Sequence, residues 1–129
     1  MPDARPIQVL YIEDDRLNIV LMEEVFRTLP GWQLRCAEDG AQALEMLGKG
    51  PRPDLVLVDM NLPDMNGLTL LRRLGDDASM GPLRCVALSA DDQADQVQAA
   101  REAGFCDYWV KPIDVRRIAQ ALRNALQQA

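Results

Sequence analysis

The sequence predicts an α/β domain: a five-stranded parallel sheet, order 2-1-3-4-5, doubly wound with five helices. Two observations carry that prediction. Short apolar runs alternate five times with amphipathic stretches, each unit taking roughly the length of one β-crossover. One run, Leu55-Val56-Leu57-Val58, has no polar alternation, as a central strand covered on both faces requires. Strands alternating with helices imply a parallel sheet between helical layers. Right-handed crossovers then gather all five strand C-termini at one edge, where ligands bind. The 129 residues suit one domain, 1–129 with its core at about 6–128, with no effector domain after it.

The elements follow in order. Ile7 to Ile12 is apolar and rich in strand formers. Leu17, Leu21 and Val25 then recur every fourth residue, with Met22, Phe26 and Leu29 on an adjoining stripe, which predicts a helix that Pro30-Gly31 stops. Trp32 to Ala37 is a short strand. Ala41, Leu44 and Leu47 mark a helix ending near Gly48 and Gly50, and Pro51-Arg52-Pro53 is a stiff connector. After the Leu55–Val58 strand, Leu68, Leu71 and Leu74 make a helix following Gly67. Leu83 to Leu88 is a strand. Gln93 to Ala103 is a weakly apolar helix with Val97 and Ala100 inward, and Phe105 to Val110 is the fifth strand. Val115, Ile118, Leu122 and Leu126 fit a closing helix with Asp114 as its N-cap.

Composition excludes several functions. There is no histidine, so no Ser-His-Asp triad, histidine metal site or phosphohistidine exists in this chain. Lys+Arg 14 against Asp+Glu 20 gives a net charge of -6, which argues against a direct nucleic-acid surface. No apolar run is long enough to span a membrane, and the N-terminus lacks the apolar core of a signal peptide. Three cysteines, odd in number and far apart, read as reduced, mostly buried thiols in a cytoplasmic protein.

Chemistry concentrates where the strands end. Glu13, Asp14 and Asp15 follow the first strand, Asp59 the third, Ser89 the fourth and Lys111 the fifth. In the order 2-1-3-4-5 the first and third strands are neighbours, so Glu13, Asp14 and Asp59 converge. Two unit charges 4 Å apart repel by about 4 kcal/mol at an effective dielectric of 20, so a proton or a cation must compensate. Carboxylates without imidazole or paired thiolates favour a hard ion such as Mg²⁺. A cation, a lysine and a hydroxyl around one carboxylate suit phosphoryl transfer.

Four stretches resemble the response-regulator receiver domains of two-component signalling, in family order and over nearly the whole chain. They are Val9 to Asp15 (Val-Leu-Tyr-Ile-Glu-Asp-Asp), Pro53 to Gly67 (Pro-Asp-Leu-Val-Leu-Val-Asp-Met-Asn-Leu-Pro-Asp-Met-Asn-Gly), Val86 to Ala90 (Val-Ala-Leu-Ser-Ala) and Ala103 to Pro112 (Ala-Gly-Phe-Cys-Asp-Tyr-Trp-Val-Lys-Pro). The Glu-Asp form of the acidic pair is similar to receivers of hybrid histidine kinases. The resemblance implies the flavodoxin-like receiver fold and a role for each site residue. Asp59 is the implied phosphoacceptor. Asp14 binds Mg²⁺ directly, Glu13 through water, and Asn61 through its backbone carbonyl. Ser89 hydrogen-bonds the phosphoryl group, Lys111 pairs with one of its oxygens, and Tyr108 is the aromatic switch. The Lys111–Pro112 bond is expected cis. The implied donor is a histidine kinase or histidine phosphotransfer domain. The implied activity is Mg²⁺-dependent self-phosphorylation and autodephosphorylation rather than that of a dedicated enzyme, with Asn61 and Asp91 as the positions that tune the attack of water. Output passes to a downstream protein through helix 4, strand 5 and helix 5, around Val97, Arg101, Tyr108 and Arg116.

Other classes fit less well. An aspartyl-phosphatase needs a second aspartate two positions after the first, where Asn61 stands. A flavodoxin-like binder needs Ser, Thr or Gly in the first loop, where Glu13-Asp14-Asp15 repels an anion. A docking module that works without phosphorylation is the alternative on the same fold. Trp32 and Trp109 read as packing residues.

Overall fold

The computed structural model describes residues 5–76 and 83–127; residues 1–4 and the predicted core limit at 128 lie outside them. Ten elements alternate: β1 (Ile7–Ile12), α1 (Arg16–Arg27), β2 (Trp32–Ala37), α2 (Gly40–Lys49), β3 (Leu55–Asp59), α3 (Gly67–Asp76), β4 (Cys85–Ser89), α4 (Ala94–Ala103), β5 (Asp107–Val110) and α5 (Ile118–Leu126). The strands form one sheet, β2-β1-β3-β4-β5, with every pair parallel. The predicted fold class is the one observed.

β3 is central and buried along its whole length. Leu55, Val56, Leu57 and Val58 each gain on the order of 2 kcal/mol from burial. Alternation sends their side chains to two cores. Val56 and Val58 join Leu10, Ile12, Ala87 and Phe105 on one side. Leu55 and Leu57 join Tyr11, Met22, Phe26, Leu88 and Leu122 on the other. Trp32 meets Phe26 edge-on at 6.1 Å, and Trp109 packs in the same layer, so both tryptophans are packing residues.

Several sequence expectations shift in detail. On α1 the inward stripe is Ile19, Met22, Val25 and Phe26, and Leu17 is 65% exposed. Steps of four residues turn a helix by 400°, so Leu17-Leu21-Val25 rotates about 40° per step and reaches the buried face only at Val25. Asp15 caps α1, accepting from the Leu17 N–H. On α2, Ala43 and Leu47 are buried while Ala41 is exposed. Asp114 does not cap α5 directly. Its carboxylate accepts from the Arg116 N–H and its carbonyl from Arg117 and Ile118, so it closes the turn that leads into the helix. Of the cysteines only Cys85 is buried; all three are free.

β5 starts at Asp107, two residues later than expected, because the preceding backbone closes α4 instead. The Gly104 N–H donates to Arg101 and the Phe105 N–H to Ala100, with Phe105 buried against the core. Gly104 has φ +119°, and a Cβ there would meet only Leu71 at an ordinary 3.8 Å. Gly104→Ala is therefore expected to cost about 1–2 kcal/mol through backbone conformation rather than crowding, read as a lower urea midpoint with an unchanged slope. The Lys111–Pro112 peptide is cis, as expected.

Candidate functional site

The register decides what meets at the carboxyl edge. Ile12 pairs with Val58, so Glu13 and Asp59 leave neighbouring strands side by side. Oxygens of Glu13, Asp14 and Asp59 all lie within 4.8 Å of one another. Glu13 is fully buried, Asp59 is nearly so, and Asp14 is exposed at the mouth. Lys111 enters from beyond β5. Its Nζ lies 2.8 Å from Glu13 Oε1 and 3.3 Å from Asp59 Oδ2.

Each carboxylate is further tied. Asp59 Oδ1 accepts the Asn61 N–H at 3.0 Å. Glu13 Oε2 accepts the Asp15 N–H at 3.2 Å. Glu13 Oε1 also accepts from the Tyr11 hydroxyl at 3.0 Å and from Asn18 Nδ2 at 3.4 Å. Burial, together with the Glu13 charge, raises the Asp59 carboxyl to about 6 against the opposing Asn61 N–H and Lys111. Burial also works against the Glu13 charge, but the hydrogen bond from the Lys111 ammonium and its opposite charge outweigh it and hold that carboxyl below its ordinary value. Burial opposes the Lys111 charge too; Glu13 and Asp59 overcome it and raise the ammonium. The result, among the described residues, is a cluster of two buried carboxylates and one exposed one with a single cation, short of neutrality. Hard oxygen donors of this kind fit a divalent cation that keeps part of its water, and Asp14 brings one of them to the surface.

Ser89 is buried at the end of β4, and its carbonyl accepts the Lys111 N–H at 2.8 Å. Tyr108 stands apart from the carboxylates. Its hydroxyl donates to the Asp91 carbonyl at 2.6 Å, while the Asp91 N–H donates to Ser89 Oγ at 3.0 Å. One residue thus links the two expected switch positions. The Asp91 carboxylate accepts the Gln93 N–H at the entry to α4. Val97 is half-buried on α4, Arg101 pairs with Asp107 at 3.6 Å, and Arg116 is exposed.

Three contacts were not foreseen. Tyr11 and Asn18 both reach Glu13, and only the Tyr11–Glu13 spacing of two along a strand could have signalled it. Asp64 accepts from the Gly40 and Ala41 N–H groups at 2.9 and 3.0 Å, holding the loop after β3 to the N-terminus of α2. Those amides lower the Asp64 carboxyl. Met65 fills the space at Gly40, where a Cβ would come within 2.6 Å of its sulfur. That loop carries Asn61, bridged to Asn66. No local sequence signal marks a contact between residues so far apart.

The family model of the response regulator receiver domain matches residues 9–123. The chain belongs to this family. It is 35% identical to sporulation initiation phosphotransferase F of Bacillus subtilis over 118 residues, 91% of this chain and 92% of that one. A two-component response regulator from Legionella pneumophila superposes with a TM-score of 0.79 at 30% identity, covering 92% of this chain and 97% of that one. The Mn(2+)-bound form of response regulator Rcp1 superposes with a TM-score of 0.78 at 25% identity, covering 92% and 91%. This receiver spans about half the length of other curated relatives it matches. Among the described residues of the receiver, no helix is long and apolar enough to cross a membrane.

Proposed function

We propose that this receiver takes a phosphoryl group on Asp59 from a phosphohistidine of a histidine kinase or histidine phosphotransfer domain. The observation that carries the reading is Lys111 bridging Glu13 and Asp59 inside a cluster of three carboxylates. A carboxylate oxygen of Asp59 bonds to phosphorus as the P–N bond breaks, and the bonding pair returns to the imidazole. Nucleophilic attack needs the anion, which Lys111 and the Asn61 N–H both stabilise. Lys111 then exchanges Asp59 for a phosphoryl oxygen, and the Ser89 hydroxyl donates to another. Oxygens of Glu13, Asp14 and Asp59 fit Mg²⁺, with the Asn61 carbonyl as the further ligand the family pattern implies; the ion when bound would neutralise charge on the transferring oxygens. The likeness to the Mn(2+)-bound Rcp1 structure supports a divalent ion here.

Output is read as a population shift. Drawing Ser89 toward the phosphoryl group pulls on Asp91, which Tyr108 also holds. The face of α4, β5 and α5, around Val97, Arg101, Tyr108 and Arg116, then presents a changed surface to a downstream protein.

The test is intact-protein mass after acetyl phosphate, with and without Mg²⁺. One phosphoryl adduct that requires Mg²⁺ is the expected result. No adduct from either acetyl phosphate or a phosphohistidine donor, together with no binding of beryllofluoride, would overturn the reading and leave a docking module. Ser89→Ala and Tyr108→Ala are each expected to weaken phosphorylation-dependent partner binding while the adduct still forms.

A further inference from the structure

Tyr11 is a buried hydroxyl that the phosphoryl-transfer reading does not use. It lies one residue before the end of β1, fully buried, between Cys36 of β2 and Leu57 of β3 in register. Its ring packs in the layer of Val9, Met22, Leu55, Leu57 and Val86. A phenylalanine would fill that layer equally well. The hydroxyl adds a polar atom that costs free energy in an apolar layer unless it finds a partner. Its partner is Glu13 Oε1 at 3.0 Å, because Glu13 follows β1 directly and continues its alternation of faces. The same oxygen takes Lys111 Nζ at 2.8 Å and Asn18 Nδ2 at 3.4 Å. An oxygen with three donors is saturated. Oε2, which accepts the Asp15 N–H at 3.2 Å, is left as the oxygen with capacity for a cation or its water.

We propose that Tyr11 is a positioning residue for the metal site: its hydroxyl fixes the Glu13 carboxylate, committing Oε1 to the protein and reserving Oε2 for the ion's coordination sphere. The inference rests on the reading that this cluster binds Mg²⁺. It depends on glutamate at position 13, since an aspartate is one methylene shorter and its oxygens fall short of the hydroxyl. Tyr11 and Glu13 thus form a matched pair.

The probe is Mg²⁺ itself, titrated as MgCl₂ and followed by ¹⁵N amide shifts of Asp14 and Asn61. Four proteins are compared: the parent, Tyr11→Phe, Glu13→Asp and the double variant. Removing a hydrogen bond behind a metal ligand costs roughly tenfold in affinity, and that loss is expected for Tyr11→Phe in the parent. In the Glu13→Asp background the same change is expected to alter affinity by less than about twofold. Urea unfolding checks that Tyr11→Phe keeps its fold, which an isosteric change preserves. An unchanged or tighter affinity in Tyr11→Phe, or an equal loss in both backgrounds, overturns the positioning role. Failure of the parent to bind Mg²⁺ overturns the metal reading as well, so the two failures are told apart.

Discussion

Asp59→Asn is expected to abolish the Mg²⁺-dependent phosphoryl adduct and, in the absence of metal, to stabilise the fold. The first effect follows from losing the nucleophilic oxygen anion. The second follows from electrostatics. Asp59 is raised from an ordinary 3.8 to about 6 in the folded protein. Between those values the native state holds a proton that the unfolded chain has released. Stability from this group is therefore greatest at low pH, falls as pH rises from about 3.8 to about 6, and stays low above that. Asparagine removes the penalty while keeping an oxygen for the Asn61 N–H. A gain of roughly 1–3 kcal/mol is expected at pH 7.5, shrinking toward pH 5. Urea unfolding at the two pH values checks it. An equal gain at both would show that desolvation of the Asp59 charge is not the cause.

Lys111→Met is expected to act in the opposite direction. Methionine keeps most of the buried stem but removes the only cation in contact with Glu13 and Asp59 among the described residues. Breaking a buried pair by deleting one partner costs about 3 kcal/mol, because the charges left behind are uncompensated. Lys111 is raised above 10.5 in the fold, so its stabilising charge is fully present below that value and is lost only as pH rises through the higher one. Across pH 5–8 the lysine is constant, and any pH dependence of the deficit comes from the carboxylates. Acidification to pH 5 protonates Asp59 and should recover part of the loss. MgCl₂ should recover part at pH 7.5 by supplying another cation. Unfolding curves at pH 5, at pH 7.5 and at pH 7.5 with MgCl₂ decide it; a deficit that ignores both pH and Mg²⁺ would point to packing alone.

Much of this was legible in the chain because the relevant rules are local. β3 announces itself by four apolar residues without alternation, and strand ends name Glu13, Asp59, Ser89 and Lys111 once the sheet order is assumed. Departures arose where a local pattern was read one step too simply. Leu17 is apolar and in phase with Leu21, yet the helical drift carries it into solvent. Asp114 precedes an apolar periodic stretch, yet it closes a separate turn first. Phe105 is a strand former, yet its N–H serves the end of α4. Asp64 was invisible as a tether because its partners, Gly40 and Ala41, lie far back in the chain on α2, and only the folded loop brings them close.

Lys111 has a kinetic consequence. It lies 98 positions after Glu13 in sequence and joins it from beyond the edge strand, with β4 and β3 between β5 and β1. Local units can assemble early, whereas a contact of that separation must wait until loop-closure entropy has been met elsewhere. The segments of β1 and β3 precede that of β5 in the chain, so the carboxylates are made before the lysine that faces them. The cluster gains its cation only when β5 docks on β4 and the chain turns back at Pro112. Charge balance at the cluster is therefore expected late in folding: a chain stalled before its last strand would carry all three carboxylates yet lack the lysine that balances them.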